Sequence, residues 1–243
     1  MYSWRGKALQ ANILYSRAGI AQHIWLSNEH GAVLFDAGDG VLRDLLSTEC
    51  DLQQLEGMVF THGHFDHIGG IHSLLGYLRM IGRNRRLSIY APAGCVELFS
   101  LVENFMKCYA NTIPFEISEK ELQTHEAFGL AGMTIEPYPV VHCGGIQDRE
   151  ILKQIPAFGY RITYKNDSIA ISGDTGMCSS LNELVRNADL AIIEATLETS
   201  SEVKNKELLK RVHLSEDLAT EIGKLAKQYI LVHKGRRKKG NIL

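Results

Sequence analysis

The segment Thr61-His62-Gly63-His64-Phe65-Asp66-His67 places three imidazoles and a carboxylate within six residues. These are donors that zinc takes from proteins, with manganese or ferrous iron as alternatives. His62 and His64 lie two apart. On an extended segment alternate side chains project to the same side, so both rings can hold one ion. Asp66 and His67 follow where a helix should begin, leave in a different direction and can serve a second ion beside the first. The simpler reading is a polar loop of satisfied histidines. Four local donors do not complete two coordination shells, so a paired site demands further ligands from elsewhere in the chain.

The sequence supplies candidates. Five short apolar runs each end in a metal-competent residue: Val33-Leu34-Phe35 at Asp36, Met58-Val59-Phe60-Thr61 at His62, Pro139-Val140-Val141 at His142, Ile169-Ala170-Ile171-Ser172-Gly173 at Asp174, and Ile230-Leu231-Val232 at His233. Runs of this length, rich in Val and Ile, read as buried strands. A polar residue directly after a buried strand emerges at the sheet rim, where open sheets commonly place their sites. One such coincidence means little, because every strand ends somewhere. Five of them, all His or Asp, are not explained by turn chemistry.

The elements that must position these residues read as strands at Asn12–Tyr15, His23–Ser27, Val33–Phe35, Met58–Thr61, Leu87–Tyr90, Thr134–Val141, Gly159–Tyr164, Ser168–Ser172, Leu190–Glu194 and Tyr229–His233. Helices are predicted over Val41–Leu46, Ile68–Met80, Cys95–Tyr109, Ser180–Asn187 and Ser215–Lys227. The last has Ser215 as N-cap, Glu216 and Asp217 in its first turn, and Leu218, Ile222 and Leu225 as one apolar stripe. Two αβ halves meeting near Val141–Pro156 are expected inside a single domain spanning residues 1–243, because neither half could complete the ligand set alone. Thr196–Arg211 reads as a solvated helix-loop, with a lid as the alternative. Arg83, Arg85 and Arg86 read as a surface loop. The basic run Lys234-Gly235-Arg236-Arg237-Lys238-Lys239 reads as a solvated terminus, with phosphate guidance as the alternative. His23, His30, His72 and His125 stand outside any constellation and read as structural or exposed.

The 243 residues, 45% hydrophobic and 22% charged, suit one large globular domain with a substantial core. Lys+Arg 26 against Asp+Glu 28 gives a net charge of −2, so no global field drives the chain onto nucleic acid or membrane. No apolar run approaches the ~20 residues of a membrane span, and Met1–Lys7 lacks the apolar core of a signal peptide. The five scattered cysteines fit reduced thiols, with Cys143 a buried, inert one, and point to the cytoplasm.

Taken in order, Asp36, the Thr61–His67 segment, His142, Asp174 and His233 resemble the motifs of the metallo-β-lactamase fold superfamily, from about Ala11 to His233. The resemblance implies an α/β fold, a four-layer αββα sandwich of two mixed sheets with flanking helices. It also implies two Zn2+ ions (or Mn2+ or Fe2+) at one edge of the sheets. On that pattern His62, His64 and His142 would hold the first ion, and Asp66, His67 and His233 the second. Asp174 would bridge them, and Asp36 would orient the ligand loop by hydrogen bonds. The stretches Phe158–Ile162, Ser172-Gly173-Asp174-Thr175, Ala188–Thr196 and His213-Leu214-Ser215 resemble the ribonuclease Z branch and its smaller phosphodiesterase relatives. This implies His213 as proton donor or transition-state contact, oriented by Glu194, and Asp66 as a ligand that also takes a proton from the attacking water. Ribonuclease Z enzymes that mature transfer RNA carry a long arm between the positions of His142 and Asp174. Here those positions are 174 − 142 = 32 apart, and two strands use much of that, so transfer-RNA processing is in doubt.

The expected activity is therefore phosphodiester hydrolysis by a metal-bridging hydroxide, on a small or nucleotide-like substrate and without a membrane, with homodimers expected by analogy. Two other classes use the same residues. One is a hydrolase of carboxylic esters, thioesters or lactones, whose motifs the His62–Gly70 segment also resembles. The other is a non-catalytic metal- or nucleic-acid-binding module using the basic tail. The chain has no Gly-x-Ser-x-Gly, which removes the usual serine-hydrolase elbow. His64 stands where a redox di-iron site would typically carry Glu.

Overall fold

The computed structural model describes residues 1–48, 50–147 and 150–235; Arg236–Lys239 of the basic run lie outside the described residues. The first sheet holds Tyr2–Arg5 (β1), Gln10–Arg17 (β2), Ala21–Asn28 (β3), Gly31–Phe35 (β4), Leu55–Val59 (β5), Leu87–Pro92 (β6) and Ile117–Leu122 (β7), in that spatial order. The strands from β1 to β4 pair antiparallel. From β4 to β7 the pairing is parallel, because each connection there carries helix: Val41–Ser47 (α1), then Phe65–Ile68 (α2) and Ile71–Met80 (α3), then Val96–Tyr109 (α4).

The second half adds Phe128–Leu130 (β8), Met133–Pro139 (β9), Ile146–Gln147 (β10), Glu150–Ile151 (β11), Phe158–Tyr164 (β12), Asp167–Ile171 (β13), Leu190–Glu194 (β14) and Tyr229–Val232 (β15). Six of these form a sheet ordered β15-β14-β13-β12-β9-β8, and β10 and β11 form a separate hairpin. Helices Ser180–Val185 (α5), Glu207–Arg211 (α6) and Glu216–Gly223 (α7) complete the elements. Both sheets are mixed, as expected. The change from one sheet to the other falls between Leu122 and Phe128, not near Val141–Pro156 as the sequence reading had it.

Three apolar clusters define four layers. Val33, Phe35 and Val59 of the first sheet meet Tyr160, Ile162, Ile169, Ile171 and Ile192 of the second between the sheets. On the outer face of the first sheet, Leu34 and Met58 pack against α1, α3 and α4 through Leu45, Leu74, Leu78, Leu98 and Val102. On the outer face of the second, Ala170, Ala191 and Ile193 pack against Leu181, Leu184, Ala219 and Ile222 of α5 and α7. Successive residues of β4, β13 and β14 thus serve opposite faces. Both faces are buried, so these strands read as unbroken apolar runs without alternation.

Several boundaries differ from the sequence reading. The helix expected over Ile68–Met80 is two helices broken at Gly69-Gly70. The helix from Ser215 ends at Gly223, and the Ser215 side chain makes no capping bond. Strand β9 stops at Pro139, leaving Val141 in a single bridge to Gly176. Arg83 is fully buried, not on a surface loop: its guanidinium donates to the carbonyls of Leu52, Leu55, Arg85 and Arg86. These backbone acceptors satisfy a buried cation without a carboxylate. Thr196–Arg211 is a loop ending in α6. It is tied down by the Ser200 amide on Asp217 Oδ1 at 2.8 Å and by the Met177 amide on the Leu209 carbonyl at 2.7 Å.

The break at Gly69-Gly70 has a steric cause. The Asp36–Gly38 turn lies directly against it: the Gly70 amide donates to the Ala37 carbonyl at 2.8 Å, and the Ala37 amide donates to the His67 carbonyl at 2.6 Å. A Cβ on Gly70 would stand 2.2 Å from the Gly38 carbonyl oxygen, and one on Gly38 would stand 2.2 Å from that of Asp66. Neither neighbour is a flexible side chain. Gly70→Ala is therefore expected to lower stability by about 1–3 kcal/mol, the usual cost of overpacking, read as a lower urea midpoint at unchanged slope. An unchanged midpoint would show that the two turns are free to separate.

Candidate metal centre

All seven expected ligands converge at one end of the sandwich. The first sheet contributes His62 and His64 from the segment after β5, and Asp66 and His67 from α2. The second contributes His142 after β9, Asp174 after β13 and His233 after β15. His62, His64 and His142 form one group, Asp66, His67 and His233 another, and His62, His67 and Asp174 a third, each with donor atoms within 4.8 Å of one another. One Asp174 oxygen, Oδ2, lies 3.5 Å from His67 Nε2, 3.9 Å from His142 Nε2 and 4.0 Å from His62 Nε2. The other, Oδ1, lies 3.3 Å from His233 Nδ1.

Hydrogen-bond counting fixes which nitrogen of each ring faces the centre. Asp36 accepts from the Thr61 amide at 2.8 Å, the Thr61 hydroxyl, the Gln22 side chain at 3.2 Å and His67 Nδ1 at 2.8 Å. The single hydroxyl proton of Thr61 is spent on Asp36, so Thr61 Oγ1 accepts from His62 Nδ1 at 3.0 Å. His142 Nδ1 donates to the Val212 carbonyl at 2.8 Å. His64 bonds to the Gly144 backbone, and its Nδ1 faces His142 Nε2 at 3.0 Å. His233 Nδ1 meets Thr196 Oγ1 at 3.1 Å; that hydroxyl donates to the His233 carbonyl at 2.8 Å, so the ring donates and its Nε2 turns to Asp66 Oδ2 at 3.3 Å. In each ring one nitrogen is engaged outside and the other faces inward, where a metal ion would take it as a ligand atom.

His62 Nε2, His67 Nε2 and Asp174 Oδ1 are buried without any hydrogen-bond partner. Three orphaned polar atoms at one point would be costly in an apolar interior. Divalent cations fit here, since they satisfy all three at once. The local field splits the rings: at His67 burial is outweighed by the carboxylates of Asp174 and Asp36, which lift it well above its usual range, whereas two others go down. Burial, reinforced by the neighbouring imidazoles, pushes His62 well below its usual range, and burial takes His142 down to about 3 against the pull of Asp174. Burial alone would raise Asp174, but His233 and His67 outweigh it and hold the carboxyl well below the usual range.

His213 and Glu194 sit beside this group. Glu194 is buried and accepts from His213 Nδ1 at 2.9 Å, the Thr175 amide at 3.0 Å, the Leu214 amide at 3.1 Å and the Thr196 amide at 2.9 Å. Burial lowers the His213 pKa, yet the adjacent Glu194 carboxylate more than reverses this and lifts it to about 9. His213 Nδ1 is 3.9 Å from Asp174 Oδ2, and 18% of its side chain is exposed. Cys143 is buried, as expected, with its thiol toward the Gly145 carbonyl. Of the four unassigned histidines, His23 is buried on Asp44 at 2.9 Å, and His30, His72 and His125 are exposed.

The sequence reading missed the partners that hold the ligands. Thr61 was visible beside His62, but nothing marked its role. Thr196 closes the Ala188–Thr196 stretch and opens the Thr196–Arg211 loop, and nothing in the sequence marks its bond to His233. Ser16 Oγ accepts the His233 amide at 2.9 Å, and the Gly19 amide donates to Asp66 Oδ2 at 2.8 Å. The carbonyls of Val212 and Gly144 leave no side-chain signal at all.

The β-lactamase superfamily domain matches residues 32–233. A ribonuclease BN of Erwinia tasmaniensis is 27% identical over 245 residues, covering 84% of this chain and 79% of its own. A ribonuclease Z of Methanothermobacter thermautotrophicus is 28% identical over 252 residues, covering 85% and 78%. In fold, the short form of human tRNase Z matches with a TM-score of 0.76 at 24% identity, covering 93% of each chain. A four-layer sandwich with this His/Asp cluster at its edge defines a metal-dependent hydrolase. The chain belongs to the β-lactamase superfamily, in its ribonuclease Z-like branch.

Asp36 touches no inward-facing nitrogen yet holds Thr61 and His67 together. Asp36→Asn keeps the volume but cannot accept from all its donors. It is expected to weaken zinc binding by about 10- to 100-fold, measured by competition with a chromophoric chelator. Affinity equal to wild type would mean that the ligands position themselves.

Proposed function

We propose that this protein is a phosphodiesterase that acts through two divalent cations, zinc first, with manganese or ferrous iron as alternatives. The observation that carries the reading is the convergence of inward-facing donor atoms, divided into two ligand groups around one carboxylate. His62, His64 and His142 would hold one ion, Asp66, His67 and His233 the other, and Asp174 would serve both. The bound ions supply a nucleophilic water at neutral pH and take up charge on the attacked phosphoryl group.

The chain's own groups do the rest. His213 is protonated at neutral pH because Glu194 lies against its Nδ1, which leaves Nε2–H free to donate to the leaving oxygen. Glu194 also binds the amides of Thr175 and Leu214, so His213 and the Asp174 loop share one anchor. Asp66, itself a member of the second group, would also take the proton of the attacking water. The substrate is a small or nucleotide-like phosphodiester. Between His142 and Asp174 the described residues hold only the β10–β11 hairpin and strands β12 and β13, which supports a compact substrate over a transfer RNA.

We read the whole chain as one domain, because both sheets contribute ligands. No described helix is long and apolar enough to cross a membrane. The five free cysteines support a cytoplasmic setting.

Purified protein loaded with zinc or manganese should hydrolyse an activated phosphodiester in preference to a thioester or a lactone. Turnover of the carbonyl substrates alone would sink the proposal. Wild type should hold about two ions per chain by elemental analysis, and Asp174→Ala should lose occupancy. His213→Ala should keep its metal but lose about 10²- to 10⁴-fold in rate. Metal loss in that variant would reassign His213 as a ligand.

A further inference from the structure

The tip of the β2–β3 hairpin, from Ser16 to Gln22, carries none of the proposed ligands, yet it reaches three of them. The Gly19 amide donates to Asp66 Oδ2 at 2.8 Å. From the second sheet, the His233 amide donates to Ser16 Oγ at 2.9 Å. Ser16 Oγ donates in turn to Gln22 Oε1 at 2.7 Å, and Gln22 Nε2 donates to Asp36 Oδ2 at 3.2 Å. The same Asp36 oxygen accepts from His67 Nδ1 at 2.8 Å. The directions along this chain are forced. A backbone amide only donates and a carboxylate only accepts, so the Ser16 hydroxyl turns its proton to Gln22 and the Gln22 amide nitrogen faces Asp36. Gln22 is 2% exposed and engages both ends of its amide.

The hairpin does not need these bonds for itself. Ser16 and Gln22 are already cross-strand partners, Arg17 pairs with Ala21, and the Ile20 amide closes the turn on the Arg17 carbonyl at 3.1 Å. The ligands reached, Asp66, His67 and His233, are one of the two groups around Asp174. The other group has its outer bonds elsewhere: His62 on Thr61, His64 on the Gly144 backbone and His142 on the Val212 carbonyl. Asp36 does reach His62 through Thr61, but it holds the Thr61 amide with its other oxygen, Oδ1, at 2.8 Å.

We propose that this hairpin tip is a positioning clamp for one ion of the pair: Ser16, Gly19 and Gln22 fix the group Asp66, His67 and His233, while the group His62, His64 and His142 stands without them. This rests on the two-cation reading and deepens it, because occupancy of one half of the centre is then set by a segment that supplies no ligand. Ser16 and Gln22 are positioning residues; they act through His233 and Asp36 and touch neither ion nor substrate.

The test withdraws zinc from the loaded chain with a chromophoric chelator, and wild type should release it in two steps. Ser16→Ala and Gln22→Met, which remove these bonds, should each weaken one step by about 10- to 100-fold and leave the other unchanged. Ser16→Thr keeps the hydroxyl and should match wild type. Two backgrounds identify the step. In His142→Ala, where the clamped group is intact, Ser16→Ala should weaken binding further; in His233→Ala it should add nothing. Equal weakening of both steps, weakening of neither, a threonine variant as weak as the alanine one, or a further loss in His233→Ala would overturn the clamp and leave the two-cation reading standing. A single step in wild type would overturn that reading and the clamp with it. None of these readouts depends on turnover.

Discussion

The Asp36 carboxylate is the constraint on which the rest of the centre depends. It stands at the end of β4 in the left-handed region, at φ 57°, where Asp is among the few side chains that are tolerated. From there it gathers the Thr61 amide and hydroxyl, Gln22 and His67 Nδ1. Those bonds set the path of the ligand segment and the proton position on two rings, His67 directly and His62 through Thr61. A buried carboxylate with every lone pair engaged is stable without a cation of its own. It is therefore a piece of scaffolding that happens to be charged.

A second carboxylate, Glu194, plays the corresponding part in the other half. It ends β14 as Asp36 ends β4, and it joins His213 to the backbone of Thr175, Thr196 and Leu214. Thr196 in turn holds His233, itself in the left-handed region at φ 51°. Each sheet thus carries an acid at a strand end that organises its own share of the donors. The centre forms where the two organised edges face each other across the inter-sheet core.

Most of this was legible because the chemistry sits at the ends of strands buried on both faces. Val33-Leu34-Phe35, Ile169–Ile171 and Leu190–Ile193 have to be apolar throughout, so the polar residue that follows each one stands out. The strands that escaped notice lie at edges or outside the main sheets. Ile117–Leu122 has one edge free and reads as polar; Tyr2–Arg5 and Phe128–Leu130 are short and half in water. Arg83 was misread because a guanidinium satisfied by backbone carbonyls has no sequence partner to betray it. The same limit hid Val212 and Gly144: a carbonyl can orient a ligand from any residue type, so only the fold reveals it.

The contact of Gly38 with Gly70 has a mechanical consequence. Main chain rests on main chain there, with no side chain between to yield. A soft cushion would let the donors drift and relax each time charge shifted on a reacting group. Rigid contact denies that relaxation, so the dipoles remain aimed as they were before the reaction began. Stiffness at two glycines is thereby converted into a low reorganisation energy, the quantity that decides how far a polar site can lower a barrier.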